Sequence, residues 1–546
     1  MSQAPDLPLK DLHASPPGTP FQVNNESNKK TADNAPGLPD TVTEAEASSE
    51  NRGSVLSDNN RNVEIAVGSS PLFEPIAIDI GDYHWFLIIY SKLSDIFGCK
   101  LMLLLAITIF TVFSMACGAS DSMVPLIVFR AFQGMGGSGI YSLSTIMVPL
   151  MVPPEKYATY ISIMSSTFIL SSVLGPILGG AITDHTTWRW VFYFNGPGGA
   201  LAAVLLAFSV PFNFPYGESD RFFHSLASKQ MWKRVDFVGM AVSLAASILI
   251  IFALEQGGVA YPWGSGAIVS TFVLSGVLWI AFLVWERLLS KKHGVREPMF
   301  PWSLVHNRFV MGLLLNGFFT GFPFMAALIN IPQRFQTVNR TSAINAGIRT
   351  LPLLLLSPLA TAINGILVSK LGVPPLYTLF LGGSLQTIGV GLYSSLKSST
   401  SIASTQYGYE AIMGLGFGFN LSTILMMVPL VVTEKDLAVT MGSVTQIRVL
   451  GGTIGLAVCS ALLINHIKRE AVKFLTADQV AGILLSSENI GMLSPETQSR
   501  TRVLYADAYS EQMRVMLYFS IASILSLGLL VERQPRKAPT TPERAG

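Results

Sequence analysis

Between residues 101 and 531 the chain turns apolar twelve times for roughly the length that crosses a bilayer, and this repetition constrains the fold more than any motif does. A hydrocarbon core about 30 Å thick needs about 20 apolar residues in a helix to span it. Runs of that kind lie at about 101–119, 122–148, 157–181, 190–211, 236–255, 265–285, 309–331, 347–369, 373–395, 406–433, 438–465 and 514–531. Lipid offers the backbone no hydrogen bonds, so runs of this length must close theirs internally as helices. The predicted fold class is therefore all-α, a polytopic bundle with about 12–13 transmembrane helices. Ahead of the first run, the apolar piece WFLIIY (85–90) is too short to span unaided.

Charge agrees with this class. Only 13% of the 546 residues are charged, against roughly 25% in ordinary soluble proteins. A net charge of +2, with its basic residues scattered, excludes nucleic acid as a partner. Cys99, Cys117 and Cys459 match neither a disulfide framework nor a zinc site and read as packing residues. The chain has no phosphate-binding lysine loop, no HExxH and no clustered metal ligands, so no enzyme, cofactor or metal is expected.

Five regions follow. Residues 1–70, polar and without an apolar run, are expected to be a disordered cytoplasmic tail. Residues 71–211 form an N-terminal helical half, 212–308 a linker holding the extra spanners 236–255 and 265–285, 309–532 a C-terminal half, and 533–546 a second tail. Lys and Arg concentrate in alternate loops, which places Lys92, Lys100, Arg234 and Arg296 on the cytoplasmic side. The exception is a long loop read at about 466–513. Asn339-Arg340-Thr341 is a glycosylation tripeptide on the opposite side.

Within the spanners, Arg130 lies in LIVFRAFQGMGGSG (126–139), where a charge is costly and usually has a task. Gly134 and Gly137 there, with Gly175, Pro176, Gly179 and Gly180 in the next spanner, supply small-residue surfaces and a kink on which helices could rock. Packing alone is the alternative.

These residues carry a resemblance. SKLSDIFGCK (91–100) resembles the cytoplasmic loop signature of the major facilitator superfamily, with Ser91 and Cys99 departing from its glycine and arginine. Arg130, Gln133 and Gly134 resemble the family's fourth-helix motif, Gly175-Pro176 with Gly179-Gly180 its fifth-helix antiporter motif, and WRWVF (188–192) with Asn195 its sixth-helix signature. The similarity covers roughly 77–532, and the extra spanners point to the fungal-type subgroup of fourteen-spanner drug:proton antiporters. The resemblance implies two pseudo-symmetric halves and proton-coupled efflux of small hydrophobic drugs, toxins or secondary metabolites by a monomer in the plasma membrane, with the vacuolar membrane as the alternative. It also implies that something is missing: the acidic first spanner and about a dozen residues of the second, before Ser91. An odd helix count upsets the pairing of half-repeats. The alternative readings are a siderophore-type importer, a membrane sensor, or a non-functional truncated product.

By the same resemblance, Arg130 and Gln133 serve proton coupling, with a structural contact to backbone carbonyls as the alternative for Arg130, while Asp95 and Lys92 gate the cytoplasmic rim, with a solvated loop acid as the alternative for Asp95. Phe319, Phe322, Phe417, Gln446 and Arg448 are the candidates for the substrate path. Glu255 and Glu410, near the outer ends of spanners, are expected to face water.

Overall fold

The computed structural model describes residues 86–153, 186–211, 233–258, 261–291 and 296–537, with single residues between 154 and 185. Among them every regular element is helical, and nine helices are long and apolar enough to cross a membrane. The tail 1–70, the segment 71–85 and most of the run at 157–181 lie outside the described residues.

The N-terminal half contains α1 (Phe86–Phe97), α2 (Cys99–Gly118), α3 (Met123–Met151), α4 (Arg189–Tyr193) and α5 (Asn195–Ser209). Gly98 alone separates α1 from α2 and turns the chain at φ 90°, a left-handed conformation that strains any residue with a Cβ. With 12 residues, α1 is about 18 Å long at 1.5 Å per residue, well short of a spanner.

The two extra spanners are α6 (Phe237–Gln256) and α7 (Gly266–Lys291), packed on each other. After the short α8 (Trp302–His306), the C-terminal half contributes six long helices: α9 (Arg308–Thr337), α11 (Leu351–Ser369), α12 (Pro375–Ser394), α13 (Thr405–Val431), α14 (Glu434–Ala471) and α16 (Pro495–Ser526). The short α10 (Ala343–Arg349) and α15 (Ala477–Leu485) lie between them. Eleven of the twelve apolar runs are thus helical; α3 and α12 fall outside the nine because glycine and polar residues dilute them.

Helices in lipid gain little from hiding apolar surface, so close packing depends on small residues. A Cβ on Gly321 of α9 would overlap the Arg448 carbonyl oxygen of α14, and one on Gly418 of α13 would overlap that of Ser357 in α11. These approaches bind α9 to α14 and α13 to α11. The halves meet at the end that carries Asp95. There Ile146 of α3 joins a core with Leu313, Leu379, Ile424 and Val444, and a Cβ on Gly442 would overlap Ser91 Oγ.

The loop read at 466–513 needs correction. α14 continues to Ala471, α15 follows with a capping box between Thr476 and Gln479, and α16 starts at Pro495. The helices persist beyond the apolar runs because Ile464, Ile467, Val480, Ile483, Tyr505 and Tyr509 bury one another in a core of their own. This cap sits at the end of α14 opposite Asp95.

Candidate functional site

Between the halves lies a cavity of about 440 Å³. From the N-terminal half it is lined by Leu87, Gly137, Ser138 and Tyr141, and from the C-terminal half by Phe324, Met325, Leu353, Pro358, Phe417 and Arg448 among others. Its walls are almost wholly apolar, as small-molecule pockets usually are, with few polar groups to set orientation. Arg448 is buried, and its Nη2 donates to the Tyr141 hydroxyl at 2.9 Å, so the cation of one half is held by the other.

Of the residues proposed for the path, Phe417 and Arg448 line this cavity. Phe322 does not: it is buried in the bundle, its ring stacked on Phe519 with centroids 3.8 Å apart. Phe319 sits edge-on to Phe318, and Gln446 is buried in α14; neither lines the cavity. Tyr141, the cross-half partner, was not singled out by the sequence, since one tyrosine in an apolar helix carries no signal until the opposite helix is placed.

At the end where the halves meet, a charged rim surrounds α1. Lys92 Nζ lies 2.7 Å from Glu297 Oε2, and Arg234 Nη2 lies 2.6 Å from Glu297 Oε1. The Glu297 amide also donates to the Arg234 carbonyl at 3.0 Å, clamping together the two ends of the extra-spanner segment. Glu297 is held below the usual carboxylate range: burial pushes it up, but Lys92 and Arg234 together outweigh that. Asp95, half-buried beside them, is pushed up to about 6 by burial, with Lys92 and Arg234 opposing and Glu297 and Asp436 reinforcing the rise. Lys100 faces elsewhere, its Nζ donating to the Ala207 and Val210 carbonyls at the end of α5, where a helix dipole favours a cation. Glu297 carried no visible signal in the sequence, because its partners Lys92 and Arg234 both lie more than 60 residues before it, on the far side of the extra spanners.

The fourth- and sixth-helix motifs meet in space. Arg130 Nη1 donates to Gln133 Oε1 at 3.4 Å, and the guanidinium sits 5.2 Å from the Phe192 ring centre. Gln133 Nε2 and Asn195 Nδ2 both donate to Ser114 Oγ at 2.8 Å. Residues 60 apart in sequence thus form one polar knot within the N-terminal half, away from the cavity lining.

Gly134 is buried in α3, while Gly137 faces both the cavity and Phe110. Gly175 and Gly179 are described, with no described atom within 4 Å of an added Cβ; Pro176 and Gly180 lie outside the described residues. Asn339 occupies the turn after α9, where its amide nitrogen donates to the Thr400 carbonyl at 2.9 Å. Glu255 is half-buried. Glu410 departs from expectation: it is fully buried in α13, accepting from Gln406 Nε2 at 3.3 Å, because α13 is enclosed by α9, α11 and α12. Cys99, Cys117 and Cys459 are buried, and none of them is in a disulfide.

A helical membrane bundle in two halves, joined by extra spanners and holding an apolar cavity between them, defines a multi-pass transporter. Residues 83–456 match the Major Facilitator Superfamily, and the chain belongs to that superfamily. An MFS-type transporter, FPY5, of Fusarium mangiferae is 83% identical over 597 aligned positions, covering 100% of both chains. The efflux pump bfoC of Aspergillus brasiliensis is 31% identical, covering 82% of this chain and 78% of its own. Among solved structures, the human organic anion transporter MFSD10 shares the fold with a TM-score of 0.50 at 13% identity, over 83% of each chain.

Proposed function

We propose that the protein exports small hydrophobic compounds by alternating access, exchanging them for protons. The observation that carries this reading is the apolar cavity between halves that are packed together on the Asp95 side, in a chain whose relatives include efflux pumps. With that side cytoplasmic, the loading face is shut. Reopening it requires the Lys92–Glu297–Arg234 cluster to part, and Asp95 sits where protonation would alter that cluster's charge. Arg130 and Gln133 hold the N-terminal half rigid around Ser114, which suits a body that rocks as a unit.

The test is retention of a neutral lipophilic dye, Nile red, in cells stripped of their own pumps. An exporter lowers retention, and a protonophore restores it. Raised retention would establish an importer instead.

A second reading is favoured by one observation. The alignment with the 83% identical relative covers both chains in full yet is 51 positions longer than the 546 residues of this chain, enough for the spanner and a half whose absence the motifs imply before Ser91. On this reading the chain is an incomplete exporter. Dye retention unchanged by the chain, but lowered once the relative's additional segment is inserted, would establish it.

A further inference from the structure

We infer that the compounds taken by the cavity are amphipathic weak acids, bound as anions with the acid group on Arg448 and the apolar body between Phe324, Met325 and Phe417. The inference rests on the cavity being the transport site and names the chemistry of what enters it. Among the described residues that line the cavity, Arg448 is the only charged one. It is 9% exposed, and among the described residues no carboxylate pairs with it. Among the described residues its side chain bonds the Tyr141 hydroxyl, a neutral partner. A guanidinium has five N–H donors and stays charged in proteins, so this site presents a planar donor fork with most of its capacity unused. Burying a cation without a counter-charge is expensive, and a ligand anion removes that cost.

The remaining polar lining adds no competing charge. Ser138 Oγ donates to the Met135 carbonyl, and Ser422 and Thr361 donate to the Gly418 carbonyl, so these hydroxyls are turned toward the backbone. A neutral compound could add to its apolar contact only a hydrogen bond from Arg448 without charge pairing, and a cation would meet Arg448 as a like charge. Charge-assisted hydrogen bonds of the Arg–carboxylate type are about twice as strong as neutral ones. An inside-negative membrane potential also drives an anion outward, which favours export.

Three probes of one skeleton test this on the purified full chain at pH 7: 1-naphthaleneacetate, 2-(1-naphthyl)ethanol and 2-(1-naphthyl)ethylamine, with binding followed by calorimetry. The acetate should bind at least about tenfold more tightly than the alcohol, and the amine more weakly than either. Arg448→Gln should bring acetate and alcohol within about twofold of each other, and Arg448→Lys should keep part of the preference. Should the Gln variant misfold, acidifying the wild-type protein below the acetate's own pKa replaces it, and the preference should vanish. An alcohol or amine that binds as tightly as the acetate overturns the inference but leaves the cavity reading standing. Binding of none of the three overturns both.

Discussion

In the C-terminal half, 78% of the most apolar stretch of α13 and 61% of that of α9 are buried, whereas along Arg189–Ser209 in the N-terminal half the figure is 6%. α5 rests on α2 through Gly196, where an added Cβ would meet Met115 Sδ at 2.6 Å, and leaves Phe208 88% and Leu201 61% exposed. Both halves are apolar enough to live in lipid, so apolarity does not explain the difference. What differs is the supply of neighbours among the described residues: α13 has α9, α11 and α12 around it, while α5 packs chiefly on α2. In a bilayer an uncovered apolar face costs little, so a helix can be stable and still lack a partner.

The contrast is sharpest at Gly321. Gly321→Leu places a side chain into the Arg448 carbonyl, in backbone that has nowhere to go, and should cost at least about 3 kcal/mol. Size-exclusion of detergent extracts checks it; a monodisperse Gly321→Leu protein would mean that α9 and α14 are not locked. At the rim, Glu297→Gln strips the counter-charge from Lys92 and Arg234. Both pairs are partly exposed, so the loss should be about 1 kcal/mol, read as a lower melting midpoint that Lys92→Met largely absorbs in a double-mutant cycle.

Asp95 yields a pH signature. Its carboxyl is raised to about 6, so the folded rim holds a proton that the unfolded chain has released above the ordinary carboxylate range. This stabilisation is present at low pH and is lost as pH rises through about 6. Asp95→Asn should flatten the melting midpoint between about pH 4.5 and 6.5 by about 2 °C relative to wild type. An unchanged slope would show that the rim is open to water. The smallest effect belongs to α5, where Phe208→Ala should change stability by no more than about 0.5 kcal/mol in detergent. A larger loss would reveal a partner covering that face and erase the asymmetry between the halves.

Much of this was legible before any coordinates. Apolar runs near 20 residues located eleven helices, because the bilayer penalises every unpaired backbone amide and leaves one solution per run. The bond between Arg130 and Gln133, three positions apart on α3, was not foreseen, although that spacing places both on one helix face. The segment at 466–513 was misread as a loop because its helices extend beyond the apolar runs, and the packing that holds them comes from residues on three different elements. Glu410 was misplaced for a related reason, since depth along a helix does not say whether the face is enclosed.

Chain chemistry by itself determined that this protein is a helical membrane bundle whose sequence carries twelve apolar runs near spanning length, because length and apolarity are properties of each segment alone. Only the tertiary structure decided which side chains meet: Arg448 with Tyr141 across the cavity, and Glu297 with Lys92 and Arg234 beneath it. Such pairs depend on distances between helices, and in lipid those distances are set by small residues and by which neighbours are present, quantities that no single segment contains.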